Sequence, residues 1–245
     1  MIVTQSLGVG GEGSLLGTTP PPRGGAALQW SRFVPATAAE GPGLRAAVWV
    51  QGCSVRCPGC FNPHMWAERG ALLDDPADLA SRWVEDARAA GAEGVTLLGG
   101  EPFDQADALA TVAEAFRDAG LGVMAFSGYT LDRLQAWAAE RDGVARLLAA
   151  TDLLCDGPYL ADLPDTRRPW IGSQNQSIRA LTPRYAAEVD RIARDGGRDA
   201  LEVRISADGA VAVNGWATDA ALADLLDDLG VRGDRVASIR KGTSR

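Results

Sequence analysis

The sequence predicts a mixed α/β protein in which helices pack around a parallel sheet or barrel. From residue 45 onward, short apolar segments alternate with segments whose apolar residues recur at helical spacing. The connections between them are short, and glycine or a polar residue follows most of the apolar segments. This alternation is typical of a parallel sheet wrapped by helices. With 245 residues and 46% hydrophobic content, the chain can build one large domain, with or without an appended unit.

Residues with strong helix-end preferences place the elements in order. Asp75 and Pro76 suit the first turn of a helix, Gly120 suits the end of the next one, and Thr130 suits the cap of a third. The predicted elements are a short strand at 27–35, a strand at 45–51, a helix at 75–90, a strand at 94–98, a helix at 104–119, a strand at 121–126, a helix at 130–139 and a strand at the end of 148–155.

The two ends of the chain differ in character from this alternating region. Residues 1–26 are rich in Gly, Pro, Ser and Thr, which predicts a disordered lead-in. Residues 201–206 and 210–213 flank a Gly-containing turn and predict a β-hairpin, and residues 219–229 predict a helix. The expected organisation is therefore a lead-in at 1–26, a core at 27–195 and a small appendage at 196–245.

Composition and charge narrow the function classes. The formal net charge of −8 argues against a generic nucleic-acid or anionic-membrane binder. No apolar stretch approaches the ~18 residues that are needed to span a bilayer. The N-terminus lacks a basic region followed by an apolar one, so we expect no signal peptide. The expected compartment is a reducing cytoplasm, where thiols favour metal sites over disulfides.

Three of the four cysteines, Cys53, Cys57 and Cys60, form a C-x3-C-x2-C run. Three thiolates from one loop could hold a [4Fe-4S] cluster and leave one iron free, since a full set of protein ligands would be four. Alternatively, His64, the only histidine, could complete a Cys3His zinc site. A disulfide is the third possibility, and the lack of a secretory signal disfavours it. Cys155 follows apolar residues and is expected to be an inert buried thiol.

Glycine and polar residues follow the predicted strands, at the edge where parallel α/β proteins bind ligands. Gly99 and Gly100 would let backbone groups approach a ligand closely, and Glu101 could accept a hydrogen bond from an ammonium group. Ser127 and Asp156 could bind a carboxylate or ribose hydroxyls. Taken singly, each of these residues could instead belong to an ordinary strand-to-helix turn or a solvated loop.

Together these motifs resemble the radical S-adenosylmethionine (SAM) superfamily. Its hallmarks are a C-x3-C-x2-C loop after the first barrel strand and a Gly-Gly-Glu-Pro turn after the second, as at residues 53–60 and 99–102 here. Within it, the loop at 51–63 is similar to that of the activating enzymes of glycyl radical enzymes. Later segments at 127–132, 152–157 and 171–176 are similar to the activators of anaerobic ribonucleotide reductases.

The resemblance implies a partial (β/α) barrel of radical SAM type with a small C-terminal β-hairpin plus helix appendage. It implies that Cys53, Cys57 and Cys60 bind three irons of a [4Fe-4S] cluster, while the amino and carboxylate groups of SAM chelate the fourth. The other positions that it assigns to the cofactor are Gly59, Cys60 and Phe61 beside the nucleoside, Gly99, Gly100 and Glu101 toward the methionine amino group, and Ser127 and Asp156 toward the carboxylate and ribose.

The reaction that the resemblance implies is reductive SAM cleavage followed by glycyl radical formation on a partner enzyme, under anaerobic conditions. The expected partner is an anaerobic ribonucleotide reductase, and the expected electron donor is flavodoxin or ferredoxin. No side chain needs to act as an acid or base, so we expect no catalytic side chain. Two alternatives stay open: a radical SAM enzyme that modifies a peptide or small molecule, and a zinc-stabilised interaction protein without catalysis.

Overall fold

The computed structural model of the chain describes residues 27–205, 211–215, 224–225 and 228. The predicted lead-in at 1–26, the turn of the predicted hairpin and most of the predicted helix at 219–229 lie outside the described residues. The division into lead-in, core and appendage therefore stays a prediction.

The described elements alternate between strands and helices. In chain order they are β1 (Leu28–Thr37), β2 (Arg45–Val50), β3 (Leu72–Asp74), α1 (Pro76–Ala89), β4 (Gly94–Gly99), α2 (Ala106–Asp118), β5 (Gly122–Ser127), α3 (Leu131–Ala138), α4 (Asp142–Ala150), β6 (Leu153–Asp156), β7 (Ser177–Ala180), α5 (Ala186–Asp195), β8 (Leu201–Ile205) and β9 (Val211–Gly215).

A seven-stranded sheet with the strand order β3-β1-β2-β4-β5-β6-β7 forms the centre of the described structure. Its four central strands, β2, β4, β5 and β6, are paired in parallel. The outer strands are antiparallel to their neighbours: β1 to β2, β3 to β1, and β7 to β6. β8 and β9 form a separate antiparallel pair. The mixed α/β class is thus confirmed, while closure into a partial barrel stays a prediction.

The core lies between the parallel strands and the helices that connect them. β2 is buried along its whole length and β4 along nearly all of it, which explains their continuous apolar sequences. The apolar stripes of α1, α2 and α4 supply the helical side of this core, with buried side chains that include Leu79, Trp83, Leu109, Phe116 and Leu147. In the part of the chain that the structure describes, no helix is long and apolar enough to cross a membrane.

Several local features differ from the sequence-based expectations. The helix expected at 104–119 begins with a 3₁₀ turn, Pro102–Gln105, before α2 takes over. α4 was not predicted as a helix, because the sequence carries no strong start signal there. In the structure, its N-cap residue Arg141 makes no side-chain capping hydrogen bond. Thr130 does occupy the N-cap of α3, but its side chain forms no capping hydrogen bond. β7 and α5 were also not predicted.

Candidate functional site

The cysteine loop begins where β2 ends and is bound along its first residues to the segment that follows it. The backbone amide of Gly52 donates to the carbonyl of Met65 (2.8 Å), and that of Cys53 donates to the carbonyl of Trp66 (3.1 Å). The side-chain amide of Gln51 donates to two further carbonyls of the same segment. These bonds hold the start of the cysteine loop against residues 64–67, at the carboxyl end of the parallel sheet.

The three clustered cysteines are free thiols whose residues line one cavity of about 290 Å³. Cys53 is buried, while Cys57 and Cys60 are half-buried. Burial, with a smaller contribution from the neighbouring Glu101 carboxylate, raises the pKa of the Cys53 thiol to about 12. Burial also raises the pKa of Cys57. Because metal ligands must be thiolates, binding of a metal centre here would release protons and would be weakened at low pH.

Gly99 and Gly100 line the same cavity, but their small size serves backbone packing. Gly99 has φ +108°, and a Cβ at this position would lie 2.6 Å from the carbonyl oxygen of Val50. A Cβ on Gly100 would overlap the carbonyl oxygen of Gly52, next to the first cysteine. The turn also bonds to the start of the cysteine loop, since the Glu101 amide donates to the Gly52 carbonyl (3.0 Å). The glycines thus allow the turn to approach the cysteine loop at close range, and their approach to a ligand stays a prediction.

Glu101 lines the cavity and is almost fully buried, with 1% of its surface exposed. Its carboxylate accepts hydrogen bonds from the Phe103 amide (2.9 Å), the Ser127 hydroxyl (2.9 Å) and the Gly128 amide (2.7 Å). Burial, with a smaller contribution from the nearby Asp104 carboxylate, raises the pKa of Glu101 to about 8. The carboxylate therefore joins the ends of β4 and β5, and its role toward an ammonium group stays a prediction.

Ser127 and Asp156 occupy different surroundings. Ser127 lines the cavity beside Glu101. Asp156 is 2% exposed and is not among the cavity-lining residues in the described part of the chain. One of its carboxylate oxygens accepts from the backbone amide of Leu131 (2.8 Å) and the other from Arg179 (2.7 Å). Asp156 therefore pairs with a backbone amide in the first turn of α3, which the side chain of Thr130 does not cap. Its role toward ribose hydroxyls stays a prediction.

Two of the three residues predicted to flank the nucleoside, Cys60 and Phe61, line the cavity. Gly59, which has φ +77°, lies between Cys57 and Cys60, but it is not among the residues that line the cavity. Phe61 does line it and contacts Tyr159, with ring centroids 5.0 Å apart. Gly172 keeps space for this pair, because a Cβ there would lie 2.8 Å from the Tyr159 ring and 3.0 Å from the Phe61 ring.

Two cavity-lining side chains carry polar atoms that are buried and lack a hydrogen-bond partner. These atoms are Oδ1 of Asn62, an acceptor, and Nε1 of Trp66, a donor. Buried polar atoms are rarely left unpaired in native proteins. Together with three free thiols on the same cavity wall, they fit a site that holds an iron–sulfur cluster and a polar organic ligand.

His64 is exposed and is not among the residues that line the cavity in the described part of the chain. Across the described ranges, no group of three or more His, Cys, Asp and Glu side chains is gathered as a single-ion site. We expect His64→Ala to leave the iron content of anaerobically purified protein unchanged, within the error of a colorimetric iron assay. A loss of bound metal in this variant would instead support the Cys3His zinc alternative.

Cys155 is buried in a separate apolar cluster with Met124, Leu153 and Ile171. Burial raises the pKa of its thiol, which disfavours the reactive thiolate. We expect Cys155→Ser to retain full iron content and SAM cleavage, at a cost of about 1–2 kcal/mol in the free energy of unfolding for burying a hydroxyl. Iron content reduced by half in this variant would contradict the assignment of Cys155 as an inert thiol.

The cavity also contains residues that the sequence did not indicate. Aromatic side chains enlarge its apolar wall, and the C-terminal hairpin adds to it from outside the predicted core. These additional lining residues include Glu40, Trp49, Trp66, Trp170, Asp199, Leu201 and Gly215. Periodicity marks such residues only as core or loop, so no sequence signal separated them from ordinary packing positions.

The cysteine loop and the parallel strands that position it lie in a segment that matches a known protein family. Residues 39–179 match the 4Fe-4S single cluster domain family, and the chain belongs to that family. The matched segment contains the whole sheet from β2 to β6 and all three clustered cysteines.

Several curated relatives share a single name, anaerobic ribonucleoside-triphosphate reductase-activating protein. The relative from Salmonella typhi is 29% identical over 160 residues, which cover 63% of this chain and 99% of the relative. The relative from Escherichia coli strain K12 is 28% identical over 160 residues with the same coverage. The relative from enterobacteria phage T4 is 27% identical over 164 residues, which cover 63% of this chain and 96% of the relative. The resemblance drawn from the sequence motifs is thereby confirmed.

Proposed function

We propose that this chain is a radical SAM activating enzyme, an oxidoreductase that generates a glycyl radical on a partner enzyme. The observation that carries the proposal is the position of three free thiols from one loop on a cavity that they share with the Gly-Gly-Glu-Pro turn. Relatives named as reductase activators supply the partner, an anaerobic ribonucleoside-triphosphate reductase.

In this proposal, Cys53, Cys57 and Cys60 hold a [4Fe-4S] cluster with one iron open to SAM. When bound, the reduced cluster would supply the electron that splits SAM into methionine and a 5′-deoxyadenosyl radical, which takes a hydrogen from the partner's glycine. The protein's own contribution is to bind, orient and shield the reacting groups, so no side chain has to act as an acid or base.

The cavity residues have distinct tasks in this scheme. The unpaired Asn62 oxygen and Trp66 N–H are available to polar groups of the nucleoside. Phe61 and Tyr159 offer an apolar surface for its base. The backbone of Gly100 and Glu101 lies at the side where the methionine amino group would bind. The aromatic wall limits water, which protects a reactive radical from unwanted side reactions.

Anaerobic incubation with SAM and dithionite tests the first half of this function. We expect release of 5′-deoxyadenosine and methionine in equal amounts, measured by liquid chromatography. Incubation with the reductase of the same organism tests the second half, with a glycyl radical signal in electron paramagnetic resonance (EPR) spectra as the expected result. Absence of 5′-deoxyadenosine from protein with a full iron complement would contradict the proposal.

The second candidate is a radical SAM enzyme that acts on a peptide or small molecule. The lining of the cavity by the hairpin favours it, because Asp199, Leu201 and Gly215 lie beyond the matched family segment. SAM cleavage without a glycyl radical on the reductase would favour this second candidate. We place either enzyme in a reducing cytoplasm, with flavodoxin or ferredoxin as the electron donor and with neither nucleic acid nor membrane as a partner.

A further inference from the structure

The hairpin of β8 and β9 lines the cavity of the cysteine loop although it lies outside the family segment. The family match ends at residue 179, and Leu201 and Gly215 of the hairpin reach the cavity from beyond it. Asp199, just before β8, is a third lining residue from this part of the chain. The cavity of this protein therefore has one side that the matched family segment does not provide.

Polar bonds attach β8 to the end of β1. The carboxylate of Glu202 accepts from the hydroxyl of Thr37 (2.6 Å) and from the backbone amide of Ala38 (3.0 Å). Arg204, on the same face of β8, donates to the carbonyl of Ala36. Thr37 is fully buried, so Glu202 satisfies a hydroxyl that has no access to water.

A second set of bonds attaches the other parts of the hairpin segment. The amide of Gly215 donates to the Glu40 carboxylate (3.1 Å), and a Cβ on Gly215 would lie 2.9 Å from that of Ala39. The carboxylate of Asp199 accepts from the backbone amide of Trp170 (2.7 Å). The segment thus reaches from the end of β1 to the loop that carries Trp170, and its position is set by contacts at both sides of the cavity.

We propose that this hairpin is a specificity-determining wall, which narrows access to the cavity so that a slender hydrogen donor enters more readily than a bulky one. The cavity of about 290 Å³ is at the small end of ligand sites, so a bound nucleoside leaves little room for a second bulky molecule. The identity of the hydrogen donor rests on the proposed function, but the restriction of access does not.

Thiol labelling of the metal-free protein tests the wall without any SAM chemistry. The probes are iodoacetamide, which is small, and a maleimide that carries a polyethylene glycol chain, which is bulky. Labelling of Cys57 and Cys60 is quantified by peptide mass spectrometry. We expect Glu202→Ala to raise the rate with the bulky probe about fivefold, by local opening of the hairpin, and to leave the iodoacetamide rate within about twofold.

Two further variants make the test decisive. Glu188→Ala breaks an exposed ion pair on α5 and should change neither rate. Leu201→Trp adds bulk to the wall and should slow the bulky probe further. An unchanged ratio of the two rates in both hairpin variants overturns the proposal. Labelling of the buried Cys155 in Glu202→Ala would show that this variant is globally unfolded. In that case Leu201→Trp decides the test, and an unchanged labelling rate with the bulky probe overturns the proposal. The yield of 5′-deoxyadenosine from the wild-type protein tests the proposed function and does not depend on the labelling of the hairpin variants. The hairpin proposal and the proposed function can therefore fail separately.

A second inference rests on a different observation, a buried polar network beneath the first cysteine. Asp104 is 5% exposed, and its carboxylate accepts from the backbone amide (2.7 Å) and the hydroxyl (2.8 Å) of Ser54. It also accepts from the hydroxyl of Tyr129 (3.0 Å), which lies 2.5 Å from the Ser54 hydroxyl. The residue next to Cys53 is therefore bound both to the 3₁₀ turn before α2 and to the segment that follows β5.

We infer that Asp104 is a positioning residue, which holds Cys53 in the orientation that a cluster needs. Three hydrogen bonds to one buried carboxylate fix the loop at Ser54 in one geometry. Loss of the carboxylate should free the loop at Ser54 while leaving the sheet intact.

The alkylation rate of Cys53 in the metal-free protein tests this role. We expect Asp104→Ala to raise that rate about fivefold, while Cys155 stays unreactive. Asp104→Asn removes the same charge but keeps an acceptor oxygen for the Ser54 amide, so it separates positioning from electrostatics and should have a smaller effect. Asp118→Ala, on the exposed end of α2, is the matched control. Equal effects of the Ala and Asn variants, or an unchanged Cys53 rate, overturn the inference.

Discussion

Replacing Cys57 by Ala is expected to abolish cluster assembly and SAM cleavage together. The three thiolates are the only side chains that we propose as iron ligands, and one iron is already without a protein ligand. The loss of Cys57 would leave a second iron without one. Iron and labile sulfide should fall to the level of a blank after anaerobic reconstitution. The yield of 5′-deoxyadenosine should fall with them, below the detection limit of the chromatographic assay.

The fold should survive this change, because Cys57 is half-buried in a loop and contributes little to the core. Far-ultraviolet circular dichroism of the variant should match that of the wild-type protein. Cys155→Ser is the matched control, since it removes a thiol from the same chain away from the cavity. A Cys57→Ala protein that keeps a full cluster would show that this thiol is not a ligand and would refute the proposed ligand set.

Replacing Gly100 by Ala is expected to cause a large loss of stability. The added Cβ would overlap the carbonyl oxygen of Gly52, which is backbone and cannot move aside as a flexible side chain could. Overpacking against backbone costs about 2–4 kcal/mol. We therefore expect the melting temperature to fall by roughly 10 °C for a chain of this size.

Gly120→Ala provides the control for Gly100→Ala. Gly120 follows α2 with φ +80°, and no atom lies within 4 Å of an added Cβ, so only backbone strain of about 1 kcal/mol is expected. Scanning calorimetry of both variants measures the difference. Equal destabilisation would show that the turn can move away from the cysteine loop, and the close packing of the two segments would no longer explain the glycine pair. A loss of iron binding in Gly100→Ala alone would support that packing.

Much of the fold was predictable because apolar runs and helix-end signals are local. The strands at 94–98 and 121–126 and the helix at 75–90 agree with β4, β5 and α1 to within one or two residues. α4 lacked such signals, since its first turn follows Arg141 rather than a capping side chain. β7 is a four-residue edge strand whose pairing with β6 depends on the fold as a whole, so no local pattern could have indicated it.

The candidate site was predictable where a motif carries chemistry and unpredictable where tertiary contacts decide. Cys53, Cys57, Cys60 and the Gly-Gly-Glu-Pro turn do meet at one cavity. For Asp156, whose place at a strand end suggested ligand binding, the structure shows contacts that no local pattern indicated: its carboxylate accepts from the start of α3 and from Arg179. No sequence signal indicated the hairpin wall, because more than a hundred residues separate it from the cysteine loop that lines the same cavity.

The central claim is that three cysteines hold a [4Fe-4S] cluster with one iron open to SAM. The most direct measurement is the EPR spectrum of the dithionite-reduced, oxygen-free protein before and after addition of SAM. We predict a signal typical of a reduced [4Fe-4S] cluster whose line shape changes when SAM binds to the open iron. An identical spectrum with and without SAM, or a colourless protein that contains zinc, would contradict the claim.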